Sequence, residues 1–271
     1  MNGKAGIRMR TMKERAMKCV FLLAACASVL AVALICVFLF DSGLEAIREI
    51  GLWNFISGKK WKPKLDVYGI YPMILGSLYV TAGAIIAGVP LGVLTAVYLA
   101  RYCPRRLYRV LKPATELLAG IPSVVYGFFG LTALLPIVGK LTDTNGYSIL
   151  TASLLLGIMI LPTIIGVSES AVRNVPSSYY EGGRALGASH ERSVYRIVLP
   201  AAKSGVLAGV VLGIGRAVGE TMAIIMVAGN QARMPKGLLK GARTLTVNIV
   251  MEMGLSTVSE DAGRRVSFGQ L

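Results

Sequence analysis

The amino-acid sequence predicts an all-α fold, a polytopic membrane helix bundle, and three observations support this prediction. The chain of 271 residues is 54% hydrophobic. Only 16% of its residues are charged, whereas soluble chains carry about 25%. Its first apolar stretch, Cys19–Phe40, contains no charged residue, and about 20 apolar residues suffice to cross the core of a bilayer as a helix.

The first predicted element is this span, which follows a basic tail over residues 1–18. A cleaved signal peptide has the same basic start, but its apolar region is about 7–15 residues long and ends at small residues. Here the apolar run is longer and ends in Val37-Phe38-Leu39-Phe40. We therefore predict a membrane span that is retained.

Four more apolar stretches follow, and each is long enough to span a bilayer: 71–100, 113–138, 148–167 and 204–228. Gly and Pro occur inside them, and membrane helices tolerate both because neighbouring helices can satisfy the freed backbone groups. In the last stretch Gly205, Gly209 and Gly213 recur every fourth residue, and small residues on one helical face allow close packing. The sequence thus predicts five spans.

The distribution of Lys and Arg orients these spans. With the amino terminus inside, the cytoplasmic segments are 1–18, 101–112 and 169–203, and they hold 16 of the 29 Lys and Arg residues. The external segments are then 41–70, 139–147 and 231–271. Cytoplasmic loops are enriched in these cations, so we predict a cytoplasmic amino terminus. The net charge of +15 is explained in this way without a nucleic-acid partner.

Several kinds of chemistry are missing from the sequence. No segment reads G-x-x-x-x-G-K-[ST], the phosphate-binding loop of nucleotide hydrolases. His190 is the only histidine, and the four cysteines, at positions 19, 26, 36 and 103, have no zinc-ligand spacing. The sequence therefore predicts neither an enzyme active site nor a metal or cofactor.

A spaced motif lies in the predicted loop between the fourth and fifth spans. A glutamate and two glycines precede a third glycine and an Ile-x-Leu-Pro run: Glu181, Gly182, Gly183, Gly187, Ile197, Leu199 and Pro200. The motif resembles the EAA loop of ABC-importer permeases, E-A-A-x3-G-x9-I-x-L-P, with glycine in place of both alanines. This resemblance implies a pair of short helices that docks on a separate ATPase subunit. We call residues 169–203 the EAA-like loop.

A narrower resemblance covers about residues 65–254. The runs that carry it are Tyr68-Gly69-Ile70, Gly76-Ser77-Leu78, Pro90-Leu91-Gly92, Glu116 to Gly127, Arg216 to Met222, Ala228-Gly229-Asn230 and Thr244-Leu245-Thr246. In this order they are similar to the PstC-type permease subunits of the phosphate-specific ABC importer. The resemblance implies a six-helix core in the inner membrane. It also implies three partners, which are a second homologous permease subunit, an ATPase dimer and an external phosphate-binding protein.

Two charged residues within the fifth predicted span, Arg216 and Glu220, are candidates for the substrate pathway. Charges inside a span are costly and usually face the bundle interior or an aqueous cavity. Because the two residues are four apart, they lie on one face of a continuous helix. One interpretation is an ion pair that holds the bundle together. The other is that Arg216 attracts a phosphate oxyanion with its planar fork of donors while Glu220 orients it.

The third predicted span has a carboxylate near its beginning and a break inside it. Glu116 is predicted in its first turn, where a carboxylate interacts favourably with the helix amino terminus. Ile121-Pro122-Ser123 interrupts the span, and amides freed at a helix break are able to face an anion.

The sequence departs from the resemblance after Gly254. We predict a basic tail over 1–18, a permease domain over 19–254 and a polar tail over 255–271. The family continues into a final membrane helix, but residues 255–271 contain no apolar run. We therefore expect five spans without the sixth, and a truncated or frameshifted carboxyl-terminal sequence.

Together these features predict a membrane permease subunit that translocates inorganic phosphate. An external binding protein would deliver the phosphate, and ATP hydrolysed on a separate subunit would drive transport. The alternatives are an ABC permease for a different oxyanion and an ion-coupled secondary transporter. A secondary transporter needs no EAA-type loop and commonly shows inverted repeats, which this sequence does not show.

Overall fold

The structure, a computed structural model, describes residues 2–65 and 67–253, and nearly all of its regular structure is helical. In chain order the helices are α1 (Asn2–Ile50), α2 (Leu52–Ser57), α3 (Tyr71–Val97), α4 (Arg105–Gly120), α5 (Ser123–Phe129), α6 (Leu135–Thr142), α7 (Ile149–Arg173), α8 (Ser177–Ala185), α9 (His190–Ser193), α10 (Leu199–Ala201), α11 (Lys203–Gly219) and α12 (Met222–Val227). A thirteenth helix, α13, begins at residue 245 and is described to residue 253. The predicted all-α class is confirmed.

Short non-α segments connect or extend these helices. Three π-helical turns cover Tyr98–Tyr102, Gly130–Leu134 and Val194–Val198. Two strands, β1 (Trp61–Lys62) and β2 (Val67–Tyr68), pair in an antiparallel hairpin. The predicted polar tail, 255–271, lies outside the described residues.

The chain divides into two compact units, one that ends at Ile56 and one that begins at Ser57. The first unit is built on α1, whose stretch Lys13–Asp41 is long and apolar enough to cross a membrane. Its apolar side chains are exposed, as in Phe38 and Phe40, which is the arrangement expected of a helix that faces lipid. The first predicted span is therefore present.

The second unit contains the other predicted spans. Three of its helical segments pass the test of length and composition for a membrane span: Tyr71–Tyr102, Ser123–Thr142 and Ile149–Arg173. A further span is present if the bent pair His190–Ala201 and Lys203–Gly219, whose axes differ by 69°, counts as one. Among the described residues the chain thus has four or five candidate spans.

The third span begins later than the sequence predicts. Ile121 and Pro122 adopt extended backbone conformations, because proline disfavours a helical conformation for the residue before it. α4 therefore ends at Gly120, and it has no buried residue. Glu116 lies near the end of this separate helix, so its predicted position in the first turn of a span is wrong.

α7 is the centre of the second unit, because it packs against both α3 and α11. A Cβ atom added to Gly88 in α3 would lie 2.8 Å from the carbonyl oxygen of Gly157 in α7. On the other side, a Cβ atom on Gly209 would lie 2.8 Å from the Ser168 hydroxyl, and one on Gly213 would lie 2.7 Å from Ile164. The predicted small-residue face of the fifth span is thus the face on which α11 meets α7.

α13 begins within the Thr244-Leu245-Thr246 run of the resemblance. The backbone N–H of Leu245 donates to the Ser77 hydroxyl at 3.0 Å, which joins α13 to α3. Glu252 accepts hydrogen bonds from Trp61 Nε1 at 3.0 Å and from Arg243 Nη1 at 3.3 Å. The described part of α13 is shorter than a membrane span, and it is fixed at both ends by residues far away in the sequence.

Close packing of α7 against α11 predicts a position-specific effect of larger side chains. We expect Gly209→Val to lower the melting temperature of the purified subunit by about 5 °C, since overpacking costs about 1–3 kcal/mol. Gly215→Val is the matched control, because it makes the same change in the same helix and a Cβ atom on Gly215 meets nothing within 4 Å. Equal melting temperatures for the two variants would contradict this packing.

Candidate functional site

The fifth predicted span is broken at Glu220, and this break separates the two charged candidates. α11 ends at Gly219, and Glu220 is extended, with φ −70° and ψ 135°. The Glu220 carboxylate accepts a hydrogen bond from the backbone N–H of Ala223 at 2.9 Å. It therefore caps the amino terminus of α12, where a negative charge is stabilised.

Arg216 lies on α11 and points to α7. Its Nη1 atom donates to the Thr163 hydroxyl at 3.2 Å. Within the described ranges 2–65 and 67–253, no ion pair joins Arg216 to Glu220. The interpretation of an (i, i+4) pair is wrong, because the helix ends between the two residues. The guanidinium thus keeps donors that a carboxylate does not occupy.

The break in the third span lies next to the break in the fifth. A Cβ atom on Gly127 in α5 would lie 3.0 Å from the Cα atom of Ala223 in α12. The Tyr126 hydroxyl donates to the carbonyl oxygen of Leu118 at 2.8 Å and so satisfies a carbonyl at the end of α4. The helices that follow the two breaks, α5 and α12, therefore pack against each other. An anion bound by the amides at 121–123 stays a prediction.

The EAA-like loop begins later than the sequence predicts, because α7 continues to Arg173. The loop then forms α8, a tight turn, α9, a π-helical turn and α10. Gly187 has φ +82°, a left-handed conformation that glycine adopts at little cost. Ser189 caps α9 by accepting from the Arg192 backbone N–H at 3.2 Å. The predicted pair of short helices is therefore present, and the turn between them lies at Gly187.

The two glycines of the motif have different surroundings. Gly183 is buried, and a Cβ atom there would lie 2.5 Å from Ile197 Cδ1 and 3.1 Å from the Ser193 hydroxyl. A Cβ atom on Gly182 would meet nothing within 4 Å. Gly183 and Ile197 are thus brought together as the contact between the two arms of the loop, whereas Glu181 and Gly182 are exposed.

The turn of the EAA-like loop presents an apolar side chain to its surroundings. Leu186 is 91% exposed. Behind it the loop is stiffened by a hydrogen bond of 2.8 Å between the Tyr180 hydroxyl and His190 Nδ1. Arg184 also donates to the carbonyl oxygen of Ala188 at 2.9 Å, across the turn. An exposed leucine on a stiff turn is suited to insertion into a cleft of another protein.

A buried carboxylate network lies at the base of the EAA-like loop. Glu169 in α7 is 1% exposed. Its carboxylate accepts from Lys112 Nζ at 2.7 Å, from the Tyr108 hydroxyl at 2.8 Å and from Arg173 Nε. The Arg173 guanidinium also lies 4.1 Å from the Tyr108 ring centroid and donates to the carbonyl oxygen of Leu99. This network joins α4, α7 and the end of α3, and we call it the Glu169 network.

The Glu169 network shifts the ionisation of the two groups that α4 contributes. Burial raises the pKa of Tyr108, and its hydrogen bond to Glu169 raises it further. Burial is the largest influence on Lys112 and opposes its charged form, but the hydrogen bond to Glu169 and the attraction of nearby acidic groups together exceed it, so the pKa of Lys112 is raised overall. Lys112 therefore stays protonated at neutral pH and holds α4 on α7 by a charge-assisted bond.

Sequence reasoning missed the Glu169 network. It placed residues 169–203 together in a loop, although the (i, i+4) spacing of Glu169 and Arg173 is typical of a continuing helix. It also assigned no partner to Lys112 or Tyr108. These residues precede Glu169 by 57 and 61 positions, so local spacing carries no signal for the contact.

Comparisons with known proteins found similar sequences. The family described as "Binding-protein-dependent transport system inner membrane component" matches residues 88–258. "Probable ABC transporter permease protein YqgH" of Bacillus subtilis is 38% identical and covers 86% of this chain and 78% of its own length. "Phosphate transport system permease protein PstC" of Mesorhizobium japonicum is 33% identical, and the match covers 80% of this chain and 72% of the relative. "Probable phosphate transport system permease protein PstC" of Methanocaldococcus jannaschii is 30% identical, and the match covers 82% of this chain and 77% of the relative.

The surroundings of the two loop glycines predict opposite tolerance to a side chain. We expect trypsin to cleave Gly183→Leu after Arg184 about tenfold faster than the parent chain, because overpacking against Ile197 opens the loop. Gly182→Leu is the matched control and should be cleaved no faster than the parent. Similar cleavage rates for the two variants of the purified subunit would contradict the assigned contact.

Proposed function

The chain belongs to the family of binding-protein-dependent transport system inner membrane components, as a PstC-type permease, and we propose that it carries inorganic phosphate as a subunit of an ATP-driven importer. Its family makes it a multi-pass protein of the inner membrane and a transport subunit rather than a catalytic one. The observation that carries the proposal is the EAA-like loop, a stiff helix pair with an exposed leucine at its turn.

The proposed partners follow from this loop and from the family. An ATPase dimer would receive the turn around Leu186 in a surface cleft, and Glu181, which is also exposed, would contact it as well. Gly183, Gly187 and the Ile197-x-Leu199-Pro200 run would hold the two arms of the loop in shape. A second homologous permease subunit and an external phosphate-binding protein would complete the importer, and the amino terminus would be cytoplasmic.

Phosphate is proposed as the substrate because two of the relatives reported above are named as phosphate transport system permeases. Arg216 supports the choice of an oxyanion, since it lies beside a helix break and its guanidinium has donors left after the bond to Thr163. Glu220, which caps α12, would fix the geometry of the break beside it. A different oxyanion is the second candidate, because the Bacillus relative is named only as an ABC transporter permease.

Uptake by the assembled importer tests the substrate. The chain is reconstituted with its ATPase, the second permease and the external binding protein, and labelled phosphate is offered with sulfate or molybdate as competitor. Uptake that requires ATP, is inhibited by vanadate and is displaced by phosphate alone supports the proposal. Displacement by sulfate or molybdate at equal concentration would assign a different oxyanion, and uptake that is independent of the ATPase would exclude the ABC mechanism.

Docking through the loop predicts that its exposed leucine is needed for assembly. We expect Leu186→Ser to reduce recovery of the ATPase with the tagged permease about tenfold, which corresponds to about 1.4 kcal/mol. Leu141→Ser is the control, because Leu141 is similarly exposed but lies in α6, outside the loop. Recovery of equal amounts of ATPase with both variants would exclude a docking role for Leu186.

A pathway role for Arg216 predicts a loss of uptake without a loss of assembly. We expect Arg216→Gln to reduce phosphate uptake at least about tenfold, since a hydrogen bond to a charged group contributes about 1.5–3 kcal/mol. Arg233→Gln, an exposed arginine bonded to Gln231, serves as the control for the lost charge. Normal uptake by a normally assembled Arg216→Gln complex would remove Arg216 from the pathway.

A further inference from the structure

The Glu169 network connects two parts of the molecule that have different proposed roles. Glu169 and Arg173 lie in the last turn and a half of α7, and the EAA-like loop follows directly. Lys112 and Tyr108 lie on α4, which leads through Ile121 and Pro122 into the third span. One buried carboxylate therefore joins the base of the loop to the helix that precedes a broken span.

The base of the EAA-like loop packs against the end of α7. Val172 and Val175 are buried against Val198 and Ala202, which come from the far end of the loop. Arg101 Nη2 donates to the carbonyl oxygen of Val172 at 2.8 Å and fixes the end of the second span to the same place. A displacement of the loop therefore displaces the carboxyl-terminal turns of α7, Glu169 included.

Few contacts other than the Glu169 network connect α4 to the end of α7. None of its residues is buried, and its side facing α7 carries the two groups that bond Glu169. Beyond α4 the chain is extended at Ile121 and Pro122, and α5 then packs against α12. The position of α4 thus sets the position from which α5 enters the bundle.

We propose that Glu169 is a positioning residue that passes movement of the EAA-like loop through Lys112 and Tyr108 to α4, and from α4 to the broken third and fifth spans. This inference rests on the proposed function, in which an ATPase moves the loop. Loss of the Glu169 charge removes the buried carboxylate that Lys112 and Arg173 share and leaves the two cations close together, so α4 separates from α7 and no longer follows the loop. ATP would then be hydrolysed with less transport.

The test compares the phosphate transported per ATP hydrolysed between variants, not either activity alone. Phosphate uptake and ATP hydrolysis are measured in the same proteoliposomes for the complete importer with parent chain, Glu169→Gln, Lys112→Met and Glu116→Gln. Lys112→Met removes the charged link to α4 but keeps the hydrogen bond from Tyr108 and the pair of Glu169 with Arg173. Glu116→Gln is the control, because this exposed carboxylate lies on the same helix, 3.6 Å from Lys112, and outside the contact with α7.

We expect Glu169→Gln and Lys112→Met to lower the phosphate transported per ATP at least about threefold, the size of coupling found within one network. Glu116→Gln should keep the parent ratio, and Glu169→Asp should restore part of it. Uptake and hydrolysis that fall in proportion in Lys112→Met would overturn the inference, since a merely structural role lowers both together. If the importer with Glu169→Gln does not assemble, the phosphate transported per ATP by the importer with Lys112→Met decides whether the inference holds.

The same experiment separates this inference from the proposed function. A parent complex that binds no ATPase or takes up no phosphate would refute the proposed function. A parent complex that transports phosphate, with unchanged ratios in Glu169→Gln and Lys112→Met, would refute only the role of Glu169.

Discussion

The close packing of α7 against α3 and α11 is the constraint on which the rest of the second unit depends. Lipid is as apolar as a leucine side chain, so burial of apolar surface does not drive membrane helices together, and small residues must let their backbones approach. Gly88, Gly209 and Gly213 provide this approach on two sides of α7. A central helix held on both sides in this way supplies a fixed reference against which α4, α5 and α12 are positioned.

Broken helices next to such a rigid core create unpaired backbone groups, and particular side chains satisfy them. Glu220 accepts the N–H of Ala223 where α12 begins, and Tyr126 donates to the carbonyl oxygen of Leu118 where α4 ends. In a membrane an unsatisfied backbone group is costly. The two residues therefore make possible two breaks that lie side by side, and Arg216 is the charged residue beside one of them.

At the carboxyl-terminal end of α7, charge joins α4 to the helix. Glu169 is buried and accepts from two cations and a tyrosine, and a buried carboxylate is tolerated only with such partners. Because the EAA-like loop continues from the same helix, its base has a defined place relative to α4. The loop itself keeps its shape through the contact of Gly183 with Ile197, so its exposed turn is presented on a stiff support.

The helical class, the apolar spans and the spaced motif could be predicted from the sequence, because hydropathy and spacing are local properties. It also indicated the glycine face of α11, since a repeat of four is visible along the chain. It misplaced Glu116, assigned Glu169 to a loop and offered an ion pair of Arg216 with Glu220 as one of two interpretations, because each of these treated a helix boundary as fixed by local pattern. Contacts within the folded chain determine those boundaries. Tyr108 and Lys112, which bond Glu169, and Thr163, which bonds Arg216, lie more than fifty residues from their partners in the sequence, and packing alone brings them into contact.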